Sequence, residues 1–348
     1  MIVIRAIIIG YLEMRRSKTF GRLLLLLVIA IAAAGAWGWR ELARPLALPA
    51  SPYDFDVREG ASLATVARQL AAAGVLPHPL WLTAYARLMR ADRAIKAGSY
   101  EVETGVTLRG LLAKLTQGDV MQSSITIVEG ATFAQLKDML RSNPGVRNTV
   151  LDLPDAELLA RIGATGEHAE GLFFPDTYFF ARHSTDAALL KRAWRMLDAR
   201  LQSGWAKRAA DLPLATPYDA LILASIVEKE TGRPADRPNV ASVFINRLRI
   251  GMPLQTDPTV IYGMGSAFDG NLRKRDLETD TPYNTYMRAG LPPTPIALVS
   301  QASLDAVLRP PPTRYLYFVS RGDGTSAFSA TLNEHNRAVA RYQRGARP

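Results

Sequence analysis

Between Arg22 and Arg40 the chain runs through 17 residues without a charge, Leu23–Trp39. Nothing else in the sequence restricts its fold so severely. As a helix the run is roughly 26 Å long, at the short end of what crosses a bilayer, and it has no polar face to turn toward water. The first 22 residues carry Arg5, Arg15, Arg16, Lys18 and Arg22 against Glu13 alone, a net +4. Positive charge ahead of the span predicts a cytoplasmic N-terminus (1–22), a single transmembrane helix (23–39) and the bulk of the chain outside the membrane. Trp37 and Trp39 suit the outer interface. The alternative is a cleaved signal peptide, since Ala32–Ala34 offers small residues for cleavage. Apolar character running on to Trp39 favours the uncleaved anchor. From Met14, MRRSKTFGR has the character of a charged leader, which makes Met14 the expected start.

A chain of 348 residues has room for two or three domains. It contains no cysteine, which removes disulfides, thiolate zinc sites, a cysteine nucleophile and lipidation at an N-terminal cysteine. The net charge of +10 is uneven, and beyond the leader the chain is only mildly basic. No basic–aromatic patch or nucleic-acid motif is present, so nucleic acid is not an expected partner. A mildly basic surface suits an anionic polymer or a membrane face.

Residues 40–53 form a Pro- and Ala-rich linker. An internal repeat follows: Val57–Leu70, Val102–Leu115 and Ile127–Leu140. Each copy has a Gly, a Ser or Thr two residues on, and apolar residues three, six and ten after the Gly. This pattern predicts a strand ending at a Gly turn, then a helix capped by Ser62, Thr107 or Thr132. Pro79–Leu88 reads as another helix and Ala97–Val102 as a strand. The outcome is one or two small strand–helix modules of the kind that grip glycans, although such units recur in many folds. Farther on, Asp155–Ile162 is a short helix. EGLFFPDTYFF (Glu170–Phe180) is either core packing around a Pro turn or an aromatic wall for sugar rings. Asp186–Lys207 is a long amphipathic helix. Together these elements make the expected fold class α+β.

Leu221–Tyr262 carries the chemistry. In the helix Pro217–Glu230, Ile222, Ile226 and Glu230 are spaced four apart and share one face, so the acid continues an apolar stripe. A carboxyl held against apolar surface is expected to have a raised pKa, which keeps it protonated for donation to a leaving oxygen. The plain alternative is a helix-end acid in water. Pro238–Ile250 forms the next helix, with Val240, Val243, Phe244 and Leu248 inward and with Arg247 and Arg249 at the end where cations suit the dipole. Asp257 is placed as an N-cap with Pro258 first in the helix. Gln255 and Thr256, polar between apolar runs, suit hydrogen bonds to hydroxyl or N-acetyl groups. Thr281–Tyr286 and Gly290–Ile296 form a Pro-rich loop pair. Tyr315–Val319 is a strand, Phe328 begins another, and Asn333–Arg344 is a terminal helix carrying His335.

The four histidines are scattered without ligand spacing, so no metal and no cofactor are expected. Neither a GxSxG elbow nor a phosphate loop occurs. Acid–base chemistry by a carboxyl remains. Glycoside hydrolysis normally uses two carboxylates across the bond, but Glu228 and Glu230, two apart on a helix, diverge by roughly 200°. A single-acid mechanism is more natural, with the substrate's own hydroxyl closing onto the anomeric carbon.

EGLFFPDTY (Glu170–Tyr178), ASIVEKET (Ala224–Thr231), VASVFINRLRIGMPLQTDPTVIYGMG (Val240–Gly265), DLETDTPYNTY (Asp276–Tyr286) and GLPP (Gly290–Pro293) resemble the YceG-like family of endolytic murein transglycosylases. The resemblance implies a single inner-membrane anchor, a LysM-like module at 54–122 and a mixed α+β catalytic domain at 123–342. It further implies a periplasmic lyase that cuts nascent peptidoglycan strands between N-acetylmuramic acid and N-acetylglucosamine. The cut leaves a 1,6-anhydro end and terminates the strand near wall synthases such as penicillin-binding proteins. The family's catalytic glutamate falls in the EKE element and maps to Glu230, with Glu228 the fallback. Gln255, Thr256, Asp257, Tyr283 and Asn284 map to the substrate cleft. Two departures alter the loop: Thr294 stands where the family has Gly, and Leu298–Ser300 replaces an Asn-Pro-Gly-like turn. The rival functions are a lysozyme-type muramidase, a non-catalytic wall-binding scaffold for synthases, and a membrane-anchored adaptor.

Overall fold

The computed structural model describes residues 25–33, 35–58, 60–118 and 122–344. The expectations for the 1–22 segment, for Leu23 and Leu24 and for a start at Met14 lie outside them. Helix α1, Leu25–Leu42, is among the described residues the one helix long and apolar enough to cross a membrane, by length and composition. It runs past Trp39 because its hydrogen bonding does not stop at the charges: Ala43 N–H still donates to Trp39 C=O at 3.2 Å.

The chain divides into two units, one ending at residue 121 and one beginning at 122. In the first, β1 (Tyr53–Val57), α2 (Leu63–Ala72), α3 (Pro79–Leu88), β2 (Gly98–Val102) and α4 (Leu108–Gln117) follow in order. The strands pair antiparallel with Phe55 opposite Tyr100, and those rings stack at 5.6 Å. Period-2 alternation turns Phe55, Val57, Tyr100 and Val102 into the core beneath the helices.

The second unit is a mixed α+β body. It comprises β3 (Gln122–Thr126), α5 (Phe133–Ser142), β4 (Val146–Arg147), α6 (Asp155–Ile162), β5 (Thr177–Ala181), β6 (Ser184–Thr185) and α7 (Asp186–Ala206). After these come α8 (Pro217–Glu230), α9 (Arg237–Arg249), α10 (Asp257–Met264), α11 (Lys274–Glu278), α12 (Gln301–Leu308), β7 (Tyr317–Ser320), β8 (Ser326–Ser329) and α13 (Leu332–Val339). The sheets are two-stranded: β3 with β5 and β7 with β8 antiparallel, β4 with β6 parallel. Helix α8 is the pillar. Every residue from Ala220 to Val227 is buried, so it is apolar all round in its middle and packs against α9 and α12. Burying one such Leu or Ile contributes about 1.5–3 kcal/mol, which is why a helix with so little amphipathic bias holds.

The repeat folds as its spacing predicts. Ser62, Thr107 and Thr132 accept the N–H of Thr65, Gly110 and Gln135 at 3.2, 3.1 and 3.3 Å. The apolar positions Leu63, Val66, Leu70, Leu108, Leu111, Leu115, Phe133, Leu136 and Leu140 are all buried. Losing any one cap costs about 1 kcal/mol. In the third copy the turn does more than start a helix. Gly130, at φ +72°, donates to Leu298 C=O at 2.9 Å and accepts from the Lys229 ammonium at 3.1 Å. This turn therefore docks against the end of α8, in a conformation that disfavours any residue with a Cβ.

The aromatic segment is core. Phe173, Phe174, Tyr178 and Phe180 are buried, and only Phe179 projects outward from β5, at 61% exposed. Phe173 stacks on Phe133 at 5.2 Å and Phe174 lies under the Arg200 guanidinium at 4.3 Å. A sugar-stacking wall at these positions is thereby corrected: alternation along β5 turns Phe179 out and Tyr178 and Phe180 in, while Phe173 and Phe174 pack in the core ahead of the strand.

Candidate active site

Glu230 is the last residue of α8, with Ile222 and Ile226 buried below it on the same face. Its Oε1 accepts the Thr256 hydroxyl. Burial pushes the carboxyl pKa above the ordinary glutamate value; the Thr256 bond and the Arg247 charge oppose this, and Asp257 adds to it. The direction expected from the apolar stripe is the one found.

Glu228, two residues earlier, points elsewhere and is fully engaged. Its side chain is 6% exposed, with one oxygen accepting the Ser300 N–H at 3.0 Å and the Ser300 hydroxyl, the other facing Arg237 at 3.5 Å. Ser300 is the N-cap of α12, so this carboxylate sits where the positive end of a helix dipole favours it. The divergence of the two side chains gives one acid to the fold and leaves the other at the surface of the site.

The approach to α10 supplies Thr256. Gln255 is held at φ +49°, unusual for a residue with a side chain. Backbone and side-chain bonds fasten this turn: Gln255 N–H to Thr285 C=O at 3.0 Å, Thr256 N–H to the Thr285 hydroxyl at 3.1 Å, and the Thr259 and Thr285 hydroxyls together at 2.9 Å. Thr256 is 1% exposed, while the Gln255 and Asp257 side chains are exposed. Asp257 is not the cap. Thr256 takes the N-cap position, Asp257 is the first helical residue, and its carboxylate accepts the Tyr286 hydroxyl at 2.6 Å. The chain enters the helix one residue earlier than the Asp-Pro pair suggested because the Thr285 bonds have already turned it.

Tyr283 and Asn284 lie in a supporting layer. Tyr283 meets the Thr294 hydroxyl at 2.8 Å and packs edge-on against Tyr262 at 5.0 Å. Asn284 is completely buried, its amide facing the carbonyls of Asp276, Leu277 and Thr279 at 3.4, 3.0 and 2.7 Å and its oxygen accepting Tyr286 N–H at 2.9 Å. Those bonds use its polar atoms to hold the loop that presents Tyr286. The structure thus brings Glu230, Thr256 and Asp257 together, leaves Gln255 at the rim, and sets Tyr283 and Asn284 behind.

Sequence reasoning missed several neighbours. Tyr286 and Thr285 bracket the turn from the facing loop. Glu170 is 7% exposed, accepts Phe133 N–H at 2.9 Å and the Tyr262 hydroxyl at 3.1 Å, and burial pushes its carboxyl up to about 7. Arg247 is 7% exposed instead of standing in solvent at a helix end. The signal for it was present: Val240, Val243, Phe244 and Arg247 make one i, i+3, i+4, i+7 stripe.

In the second unit, a buried central helix that ends in an acid with a raised pKa is an arrangement suited to acid–base chemistry. The chain matches the YceG-like family over residues 55–341 and belongs to it. The endolytic murein transglycosylase of Bacillus subtilis (strain 168) is 32% identical over 307 residues, covering 83% of this chain and 84% of that protein. The endolytic murein transglycosylase of Streptococcus pneumoniae serotype 2 is 25% identical, over 82% of this chain and 57% of its own length. The crystal structure of a YceG-like protein from Listeria monocytogenes superposes with a TM-score of 0.54 at 28% identity, covering 82% of this chain and 98% of that one.

Proposed function

We propose that this protein is an endolytic murein transglycosylase, a lyase that cuts glycan strands internally, with Glu230 as its single general acid and base. The observation that carries the reading is the contrast between two neighbouring acids. Glu228 is consumed by Ser300 and Arg237, whereas Glu230 has one bond, from Thr256, and a pKa raised by burial. Protonated Glu230 gives its proton to the glycosidic oxygen as the bond between N-acetylmuramic acid and N-acetylglucosamine breaks. The carboxylate then takes the proton of the muramyl C6 hydroxyl, whose oxygen closes onto C1 to give the 1,6-anhydro ring. No water is consumed, and the glutamate ends in the state in which it began. Asp257, hydrogen-bonded to Tyr286, supplies negative charge beside the positive anomeric centre.

The basic leader, the apolar helix α1 and the Trp pair support a single-pass anchor in the inner membrane with the catalytic unit outside. The strand–helix–helix–strand order of the first unit supports a LysM-like glycan-gripping module. Penicillin-binding synthases are the partners that family membership suggests. The test is digestion of purified peptidoglycan by the wild type and by Glu230→Gln, with products resolved by mass spectrometry. Anhydro-muramyl ends from the wild type and a loss of about 10²–10⁴-fold in the variant are expected. Reducing ends would make the enzyme a muramidase, and undiminished cleavage by Glu230→Gln would remove the glutamate from the mechanism.

A further inference from the structure

Arg247 is a cation on the buried stripe of α9 for which the acid mechanism gives no role. Two of its guanidinium nitrogens are anchored on the fold: Nε donates to Leu316 C=O at 2.7 Å, and Nη1 to Leu254 C=O at 2.6 Å. The group lies 5.4 Å from the centre of the Tyr317 ring. No carboxylate stands within ion-pair distance of it among the described residues. Its third nitrogen, Nη2, has no partner there either, yet it is not among the buried atoms sealed from solvent. Arg247 as a residue is 7% exposed, and burying a guanidinium is costly unless its N–H groups are used. Evolution toward stability alone would favour an apolar side chain at this position of the stripe. The Leu254 carbonyl that anchors Nη1 lies two residues before Thr256, whose hydroxyl bonds Glu230, and the Arg247 charge acts on Glu230 and Tyr286 as well as on Tyr317 and His335.

We propose that Arg247 is a substrate-binding residue, whose Nη2 donates a hydrogen bond to the acetamido carbonyl of a sugar flanking the scissile bond and whose charge stabilises Glu230 after proton transfer. This deepens the reading of Glu230 given above. A guanidinium only donates, so its partner must be an acceptor. On an uncharged stretch of N-acetylated glycan the amide carbonyl is the strongest acceptor, ahead of hydroxyl and ether oxygens. The two anchored nitrogens fix the plane of the group, so Nη2 is held in place without loss of side-chain entropy on binding. Glu230 is bonded by Thr256 and acted on by the charges of Asp257 at the start of α10 and Arg247 from α9, and it acts in turn on Tyr286 from the loop of residues 281–286. Of these only Arg247 is positive.

The test uses the full chain in detergent. Binding is measured in the Glu230→Gln background, which does not turn over, with an N-acetylated murein oligosaccharide and its de-N-acetylated counterpart as probes. The Glu230→Gln protein is expected to prefer the acetylated probe by about ten-fold or more, and Arg247→Lys in that background to lose the preference. Equal affinity of Glu230→Gln for both probes overturns the proposal without any arginine variant, which covers the case in which Arg247 variants do not fold. A second measurement is the pH–rate profile of Arg247→Lys and Arg247→Met with Glu230 intact, each checked by thermal melting. Positive charge favours the carboxylate, so its loss raises the Glu230 pKa and moves the alkaline limb of activity to higher pH. Met is expected to move that limb and Lys to leave it in place. A folded Met variant with an unmoved limb and wild-type affinity overturns the proposal. Activity retained by Glu230→Gln would instead overturn the glutamate reading, so the two failures are distinguishable.

Discussion

At the scale of single residues, the proposed mechanism depends on which of the two acids at the end of α8 keeps a free oxygen. Thr256 orients the one that does, and Thr285 and Thr259 hold Thr256. Its hydroxyl stabilises the carboxylate form of Glu230, so Thr256→Val is expected to raise that pKa and shift the alkaline limb upward. The rate on the acid plateau should fall by about ten-fold, because an unanchored carboxyl leaves its productive geometry. A pH–rate profile checks both effects, and Thr256→Ser should restore them. Valine keeps the volume of threonine, so an unchanged melting temperature would separate this from damage to the fold. The place of Glu230 was legible as the continuation of an apolar stripe. Its orienting threonine was legible only as a polar residue between apolar runs. The partner of a hydroxyl is chosen in three dimensions: Thr256 lies 26 positions from Glu230, and Ser300 lies 72 from Glu228.

At the scale of elements, buried acids stitch the helices together. Glu170 joins the first turn of α5 to Tyr262 on α10, the helix whose N-terminus carries Thr256 and Asp257. In the fold it keeps its proton up to about pH 7, against 4.5 for an ordinary glutamate. Between those values the native state holds a proton that the unfolded chain has released. Stability contributed through Glu170 is therefore complete below about pH 4.5, declines as pH rises, and is level again above about 7. The whole step amounts to about 3 kcal/mol. Glu170→Gln is expected to flatten that decline in urea-unfolding free energies measured from pH 4.5 to 7.5. An unaltered slope in the variant would assign the decline to another group. Helix boundaries were far easier to read than these ties. α3, α6 and α8 occupy the spans that capping residues, prolines and periodicity indicate, since those signals act within a turn or two. Arg247 shows the opposite case: the dipole argument suited a surface position, while the stripe it belongs to put it inside.

At the scale of the whole molecule, the proposed anchoring by the apolar helix can be tested directly. Deleting residues 1–42 is expected to release the protein from membranes into the soluble fraction, with cleavage of isolated glycan retained, as checked by fractionation and digestion. Persistence in the membrane fraction would point to a second attachment. The sequence by itself determined the apolar N-terminal helix, the three capped repeat helices, the central helix and the acid at its end. Each of these follows from local hydrogen bonding or from the period of apolar residues along one element. Only the tertiary structure decided that Glu228 is spent on Ser300 and Arg237, that Asn284 is locked in its loop, that the phenylalanines of EGLFFPDTYFF other than Phe179 are core, and that the charge of a buried arginine acts on Glu230. The physical reason is common to all four. Whether a polar or aromatic side chain is available to a ligand depends on the partners it meets, and those arrive from segments tens of residues away.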